Sequence, residues 1–215
     1  GSDATDEAVT VSEWTEADTN LANHYIRLLQ KNPEYGNVLE LLWSLYEKKS
    51  QTALLLDYFN SAASSNDSPL AAVLIHAHLL RKSADIEAAR EAYDRVTDVD
   101  PDNIPALLAL AEITDLQGRS NKALSLYTRL VGNIPAETEI GLSIRLRKAT
   151  LHQKIDQLDT AITIWKELLG VYTNNTTVRT EIVSLLLESG ETDTAIQVLT
   201  ELTTSAEPRQ KLNAF

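Results

Sequence analysis

The 215-residue chain contains no cysteine and no methionine. The first absence excludes disulfides, thiolate metal sites and a cysteine nucleophile, and it suits a reducing or an oxidising compartment equally. The second extends to the initiator, and Gly1-Ser2 has the form of an expression scar. The expectation is a natural chain that extends upstream, where a signal peptide or membrane anchor would lie. Glycine and proline are scarce, with seven and six residues, and the runs between them are rich in Leu, Ala, Ile and Glu. So few breakers predict an all-α protein. No apolar run approaches the roughly 18 residues that span a bilayer, so no direct membrane insertion is expected.

Basic residues are in deficit, 19 against 31 acidic, for a formal net charge of −12. A phosphate backbone is repelled by such a chain, and no basic face is evident, so no nucleic-acid partner is expected. Phosphate-binding glycine loops, the G-x-S-x-G elbow and the H-E-x-x-H zinc motif are all missing. The four histidines are His24, His76, His78 and His152. His76 and His78 stand two apart, so on a helix they diverge by about 200° and cannot chelate one metal together. No catalytic residue, no metal site and no cofactor is expected, and the chain does not read as an enzyme.

What is present is a repeat. Leu70 to Asn103 and Ile104 to Glu137 are adjacent 34-residue stretches that share seven identities, among them Ala77/Ala111, Ala89/Ala123, Tyr93/Tyr127 and Pro101/Pro135. Small residues at a helix crossing permit close approach, and the tyrosines fill the space between one helix pair and the next. The prolines end the second helix, lacking an amide donor. This spacing resembles the tetratricopeptide repeat, with its small-residue, A-x3-F and P positions. The resemblance implies an all-α, right-handed superhelical solenoid of antiparallel helix pairs that acts by binding.

In that register residues 1–13 are a disordered acidic lead-in, and 14–215 form a single array. A half-repeat at 14–35 places Leu21, Tyr25 and Leu28 34 residues ahead of Leu55, Phe59 and Ala62. The degenerate repeat 36–69 has Trp43 and Leu55 where small residues belong, and Asn66-Asp67-Ser68-Pro69 closes it. Repeats 70–103, 104–141, 142–175 and 176–209 follow, with a C-terminal stump at 210–215. Ala123 and Ala161 lie 38 apart, four more than the period. This predicts a helix at about 137–154 that is one turn longer than its counterparts. Pro208 falls one residue late in the last repeat. The overlapping sequons at Asn174-Asn175-Thr176-Thr177 read as a polar loop between repeats.

The resemblance also implies a concave groove lined by the first helix of each pair. Its residues are Leu74, His78 and Arg81 in one repeat, then Leu108, Glu112 and Asp115 in the next. Leu146, Arg147, Thr150 and Lys154 follow, then Thr180, Glu181 and Ser184. An apolar strip flanked by charges of both signs suits an extended peptide or an amphipathic helix of a protein partner. The carboxylate clamp of the family's chaperone adaptors is not matched: its places hold Leu74, His78, Ala109, Ser143 and Arg147, and Arg147 alone fits. Reversing Arg147 and Lys154 to Glu is expected to alter partner capture and leave folding intact. The alternative function is assembly into a homo-oligomer through the end helices, with Leu21, Tyr25, Leu28, Leu212 and Phe215 as contacts. The acidic composition, without Met or Cys, suits an exported bacterial segment that follows its signal or anchor slightly better than a cytoplasmic scaffold.

Overall fold

The computed structural model describes residues 13–65 and 67–211, of which 205–211 are described as backbone only. The lead-in 1–12, Asn66 of the closing turn, and Leu212 and Phe215 lie outside the described residues. Among the described residues there are eleven helices and no strand, which makes the fold all-α. The contacts gather into two compact units, Gly1–Ile113 and Thr114–Phe215.

The first unit holds α1 (Glu16–Lys31), α2 (Asn37–Lys48), α3 (Thr52–Ala63), α4 (Leu70–Lys82), α5 (Ile86–Val99) and most of α6 (Ile104–Leu116). α1 opens with a capping box: Thr15 Oγ1 accepts from the Asp18 amide at 3.1 Å, and the Asp18 carboxylate accepts from the Thr15 amide at 3.0 Å. The same carboxylate meets Lys49 Nζ at 2.7 Å, and Lys49 also donates to the Glu13 carbonyl at 2.8 Å. The Lys49 hydrogen bond, with the Thr15 contacts, holds the Asp18 pKa down at about 2. Ala22, Ile26 and Leu29 form the buried side of α1 and join Leu39, Leu42, Trp43, Leu55, Phe59, Ile75 and Leu79 in one core. α1 therefore packs on α4 as well as on α2. A lone half-repeat stacking only on its neighbour would not reach so far. At the α4/α5 crossing Ala77 and Ala89 are both fully buried.

The second unit holds the end of α6, α7 (Ser120–Asn133), α8 (Glu139–Lys154), α9 (Leu158–Val171), α10 (Thr176–Glu188) and α11 (Thr192–Lys211). The longer helix foreseen from the 38-residue spacing is α8, with 16 residues against 13 in α4, α6 and α10. Its start is built from the extra residues. Thr138 Oγ1 donates to the Pro135 carbonyl at 2.9 Å and accepts from the Gly141 amide at 3.0 Å. A Cβ at position 141 would lie 1.9 Å from the Pro135 oxygen, so this close approach requires glycine. Ala149, Ala161, Trp165, Leu168, Ile182 and Leu186 form the core of this unit. Arg145 and Arg179, 34 apart, each tie down a preceding helix end: Arg145 Nη2 donates to Ile134 O at 3.0 Å, and Arg179 Nη1 to Leu169 O at 3.2 Å. α11 runs through Pro208 to Lys211.

The backbone repeats more strictly than the side chains. Residues 50, 84, 118, 156 and 190 all have positive φ, between 55° and 86°, and they recur at the 34, 34, 38 and 34 spacing of the sequence. Each follows the first helix of a pair. The next amide then bonds five residues back: Gln51 to Tyr46 O, Asp85 to Leu80 O, Arg119 to Thr114 O, Gln157 to His152 O and Glu191 to Leu186 O, at 2.8–3.1 Å. Each left-handed residue itself donates three residues back, to Glu47, Arg81, Asp115, Gln153 and Leu187. These paired bonds are the Schellman closure of a helix, which satisfies its last carbonyls and turns the chain into the partner helix.

Candidate binding surfaces

In the first unit the face of α4 expected to line a groove is covered. Leu74 is 2% exposed and His78 1%. His78 Nε2 lies 3.1 Å from the Pro33 carbonyl oxygen, and Nδ1 lies 2.6 Å from the Tyr93 hydroxyl. A carbonyl can only accept, so Nε2 carries the proton and Tyr93 donates to Nδ1. The tautomer follows from that network, with the ring neutral. Burial lowers the His78 pKa to about 4 against the weaker help of the Pro33 carbonyl, and burial also pushes the Tyr93 hydroxyl up.

Tyr35, on the connector between α1 and α2, completes the cover. Its ring meets the His78 ring edge-on at 5.5 Å, and the Arg81 guanidinium lies over it at 4.9 Å. Arg81 Nη2 also donates to Glu112 at 2.7 Å. Burial works against the Arg81 charge, and the Glu112 hydrogen bond and charge, together with Tyr93 and Tyr35, outweigh it, so the guanidinium is held above its usual pKa. Leu74 and His78 are thus corrected from groove lining to buried positions, because α1 and its connector lie against α4. Arg81, Leu108 and Glu112 are half-buried. Pro33 and Tyr35 were missed as partners of this face; the signal was an aromatic residue inside an otherwise polar turn, Asn32-Pro33-Glu34-Tyr35-Gly36.

In the second unit the corresponding residues are mostly open. Arg147, Thr150 and Lys154 on α8 and Thr180, Glu181 and Ser184 on α10 are exposed, and Leu146 is half-buried. Asp115 is the exception, with a side chain 3% exposed. It holds Arg147 Nε at 2.5 Å and Lys154 Nζ at 3.7 Å, while those two side chains remain 48% and 55% exposed. A buried carboxylate therefore fixes two outward cations on one face of α8. The correction for Asp115 is from groove residue to buried anchor. It also overturns the expectation that Arg147 and Lys154 could be reversed harmlessly, since two new carboxylates would then face a buried one.

Among the described residues no group of three His, Cys, Asp or Glu side chains is placed to hold a metal ion, and no helix is long and apolar enough to cross a membrane. His152 pairs with Gln157 at 2.8 Å, and His24 is exposed.

A family model described as Tetratricopeptide repeat matches residues 71–103. Protein CTR9 homolog of Arabidopsis thaliana is 29% identical over 129 residues, 60% of this chain. The chain spans only 12% of that curated relative's length. Among solved structures, one titled MamA RS-1 ArsTM double mutant is similar with a TM-score of 0.59 and 12% identity, covering 91% of this chain and 98% of that one. YrrB, described as a TPR protein with an unusual peptide-binding site, is similar with a TM-score of 0.52 and 17% identity, covering 71% of this chain and 76% of its own. At such identities the likeness is one of fold. The chain therefore carries a tetratricopeptide repeat at residues 71–103 and has an all-α, tetratricopeptide-like fold of helix pairs.

Proposed function

We propose that the chain is a non-catalytic protein-binding module whose partner, an extended peptide or a helix, docks on the open face of α8 and α10. The observation that carries this reading is the anchoring of Arg147 and Lys154 by Asp115. Side chains of this length lose rotamer freedom when they bind, and a buried partner that already orders them reduces that cost. The Arg147 Nε is engaged by Asp115, and the half-exposed remainder of the guanidinium carries donors suited to carbonyls and carboxylates. Thr150, Thr180 and Ser184 beside it add hydroxyls. A peptide-binding site in YrrB, a protein of similar fold, is consistent with this use.

The test is affinity capture from source lysate, followed by titration of the captured partner against two variants. Thr180→Lys with Ser184→Lys crowds the open face, and Asp115→Asn with Arg147→Gln and Lys154→Gln removes the charges together so that none is left buried and unpaired. Loss of affinity in both variants is expected, with melting unchanged in the first. Full affinity in both would remove the site from this face.

Assembly of copies through the end helices is the second reading. Leu21 and Leu28 on α1 are 42% and 38% exposed, and Ile196 and Leu199 on α11 are 54% and 40%. Light scattering against concentration decides it, since a monomer at the highest concentration reached removes this reading.

A further inference from the structure

Position 78 is buried because a five-residue segment, Asn32 to Gly36, lies on the face of α4 that the repeat pattern turns toward a ligand. The segment binds in a specific way. It is extended at Gly36, with φ −165° and ψ −161°, it offers the Pro33 carbonyl to His78 Nε2 at 3.1 Å, and two residues later it lays the Tyr35 ring against His78 and Arg81. The receiving side is fixed from behind: Tyr93, fully buried, orients His78 through Nδ1, and Glu112 orients Arg81 at 2.7 Å. Those are the components of peptide recognition, namely a donor for a main-chain carbonyl, a cation for a ring, and a second layer that holds both.

We propose that the His78–Arg81 face of α4 is a recognition site for an extended segment carrying a proline and, two residues on, an aromatic ring, and that the connector 32–36 is its resident occupant in cis. A partner segment with the same pattern binds the first unit by exchange with that connector. Tyr35 is 41% exposed, and the Asn32 amide and the Gly36 carbonyl are bonded into the ends of α1 and α2, so residues 33–35 between them are the exchangeable element, whereas α1 stays docked through Ala22, Ile26 and Leu29. Tethering gives the resident an effective concentration in the millimolar range, so an outside segment binds weakly until the resident is weakened. The site is independent of the α8/α10 face.

The probe is a fluorescein-tagged peptide with the chain's own sequence from Gln30 to Asn37, titrated by anisotropy. The Pro33→Gly/Tyr35→Ala chain is expected to bind it at least about tenfold more tightly than the unaltered chain. Adding Arg81→Ala, or replacing the peptide's tyrosine by alanine, is expected to reverse the gain. A folded double variant that shows no saturable binding, or binding indifferent to Arg81→Ala, overturns the proposal. A second measurement needs no variant: with the peptide in millimolar excess, amide exchange at Glu34 and Tyr35 of the unaltered chain should accelerate. Unchanged exchange there also overturns it.

Discussion

His78 Nε2 donates to the carbonyl of Pro33 at 3.1 Å, so an imidazole in the middle of α4 closes the turn that joins α1 to α2. The Nδ1 side is the one that needs a neutral ring, because protonation there removes the acceptor of the Tyr93 hydroxyl. Burial sets most of the cost of protonating the ring, and the nearby Arg81 charge adds to that cost.

This makes stability depend on pH in a defined window. The folded His78 pKa is about 4 against 6.5 for the free side chain, so the unfolded chain binds the proton first. The stabilisation is complete above about pH 6.5 and is lost as pH falls toward 4, a total of about 3 kcal/mol. His76, lowered by burial and by Arg95, acts in the same direction. Asp18 acts separately, losing its contribution as pH falls below the usual carboxylate value toward about 2. Urea unfolding between pH 7.5 and 5 should show a slope that His78→Gln flattens. Equal slopes in the two proteins would contradict the assignment.

The recurring left-handed turns predict substitutions of opposite sign. Ala84 has φ 65° and Gly118 has φ 72° at equivalent places. A side chain in that region costs on the order of 1 kcal/mol. Ala84→Gly should therefore raise stability by about that amount and Gly118→Ala lower it, read from melting curves.

Tyr127, 2% exposed in α7, occupies the place that Phe59, Tyr93 and Trp165 take in other repeats, and those three are 0–1% exposed. Tyr127→Ala should cost about 3–5 kcal/mol in chemical denaturation. An unchanged midpoint would mean that the position is not a core position.

These aromatic positions were legible because one spacing of 34, shifted once to 38, repeats through the chain, and the helix crossings depend on residue size alone. The left-handed turns were only half legible: glycine marks 118 and 190, but Ser50, Ala84 and Asp156 adopt the same conformation without it. The binding face was the least legible part. A repeat pattern tells which way Leu74 and His78 point from their own helix. It does not tell that a segment 45 residues earlier, at Pro33, lies across them. Asp115 was likewise placed on the right side of α6, but its burial depends on Arg147 and Lys154, which α8 brings to it from more than 30 residues away.

Glycine supplies another sharp contrast in the second unit. Gly141→Ala drives a Cβ into the Pro135 carbonyl, where backbone must move, and should cost about 1–3 kcal/mol. Gly132, in α7, has open space around its Cβ position, so Gly132→Ala should stabilise by up to about 1 kcal/mol. Parallel melting curves decide both, and a harmless Gly141→Ala would mean that the α8 start is not packed as described.

The Asp115 anchor predicts an asymmetry between its two sides. Removing the carboxylate by Asp115→Asn leaves Arg147 and Lys154 half in water, where they regain hydration, so the loss should stay near 1 kcal/mol. Removing the cations by Arg147→Gln and Lys154→Gln leaves a carboxylate 3% exposed without its two ionic partners, and the loss should approach about 3 kcal/mol. Combining all three changes should recover most of that loss, because no buried charge remains. The coupling is read from a thermodynamic cycle built on urea unfolding of the four proteins. If the cation-free protein is as stable as the unaltered one, Asp115 does not depend on these residues, and the two cations lose the fixed orientation that the proposed binding face requires.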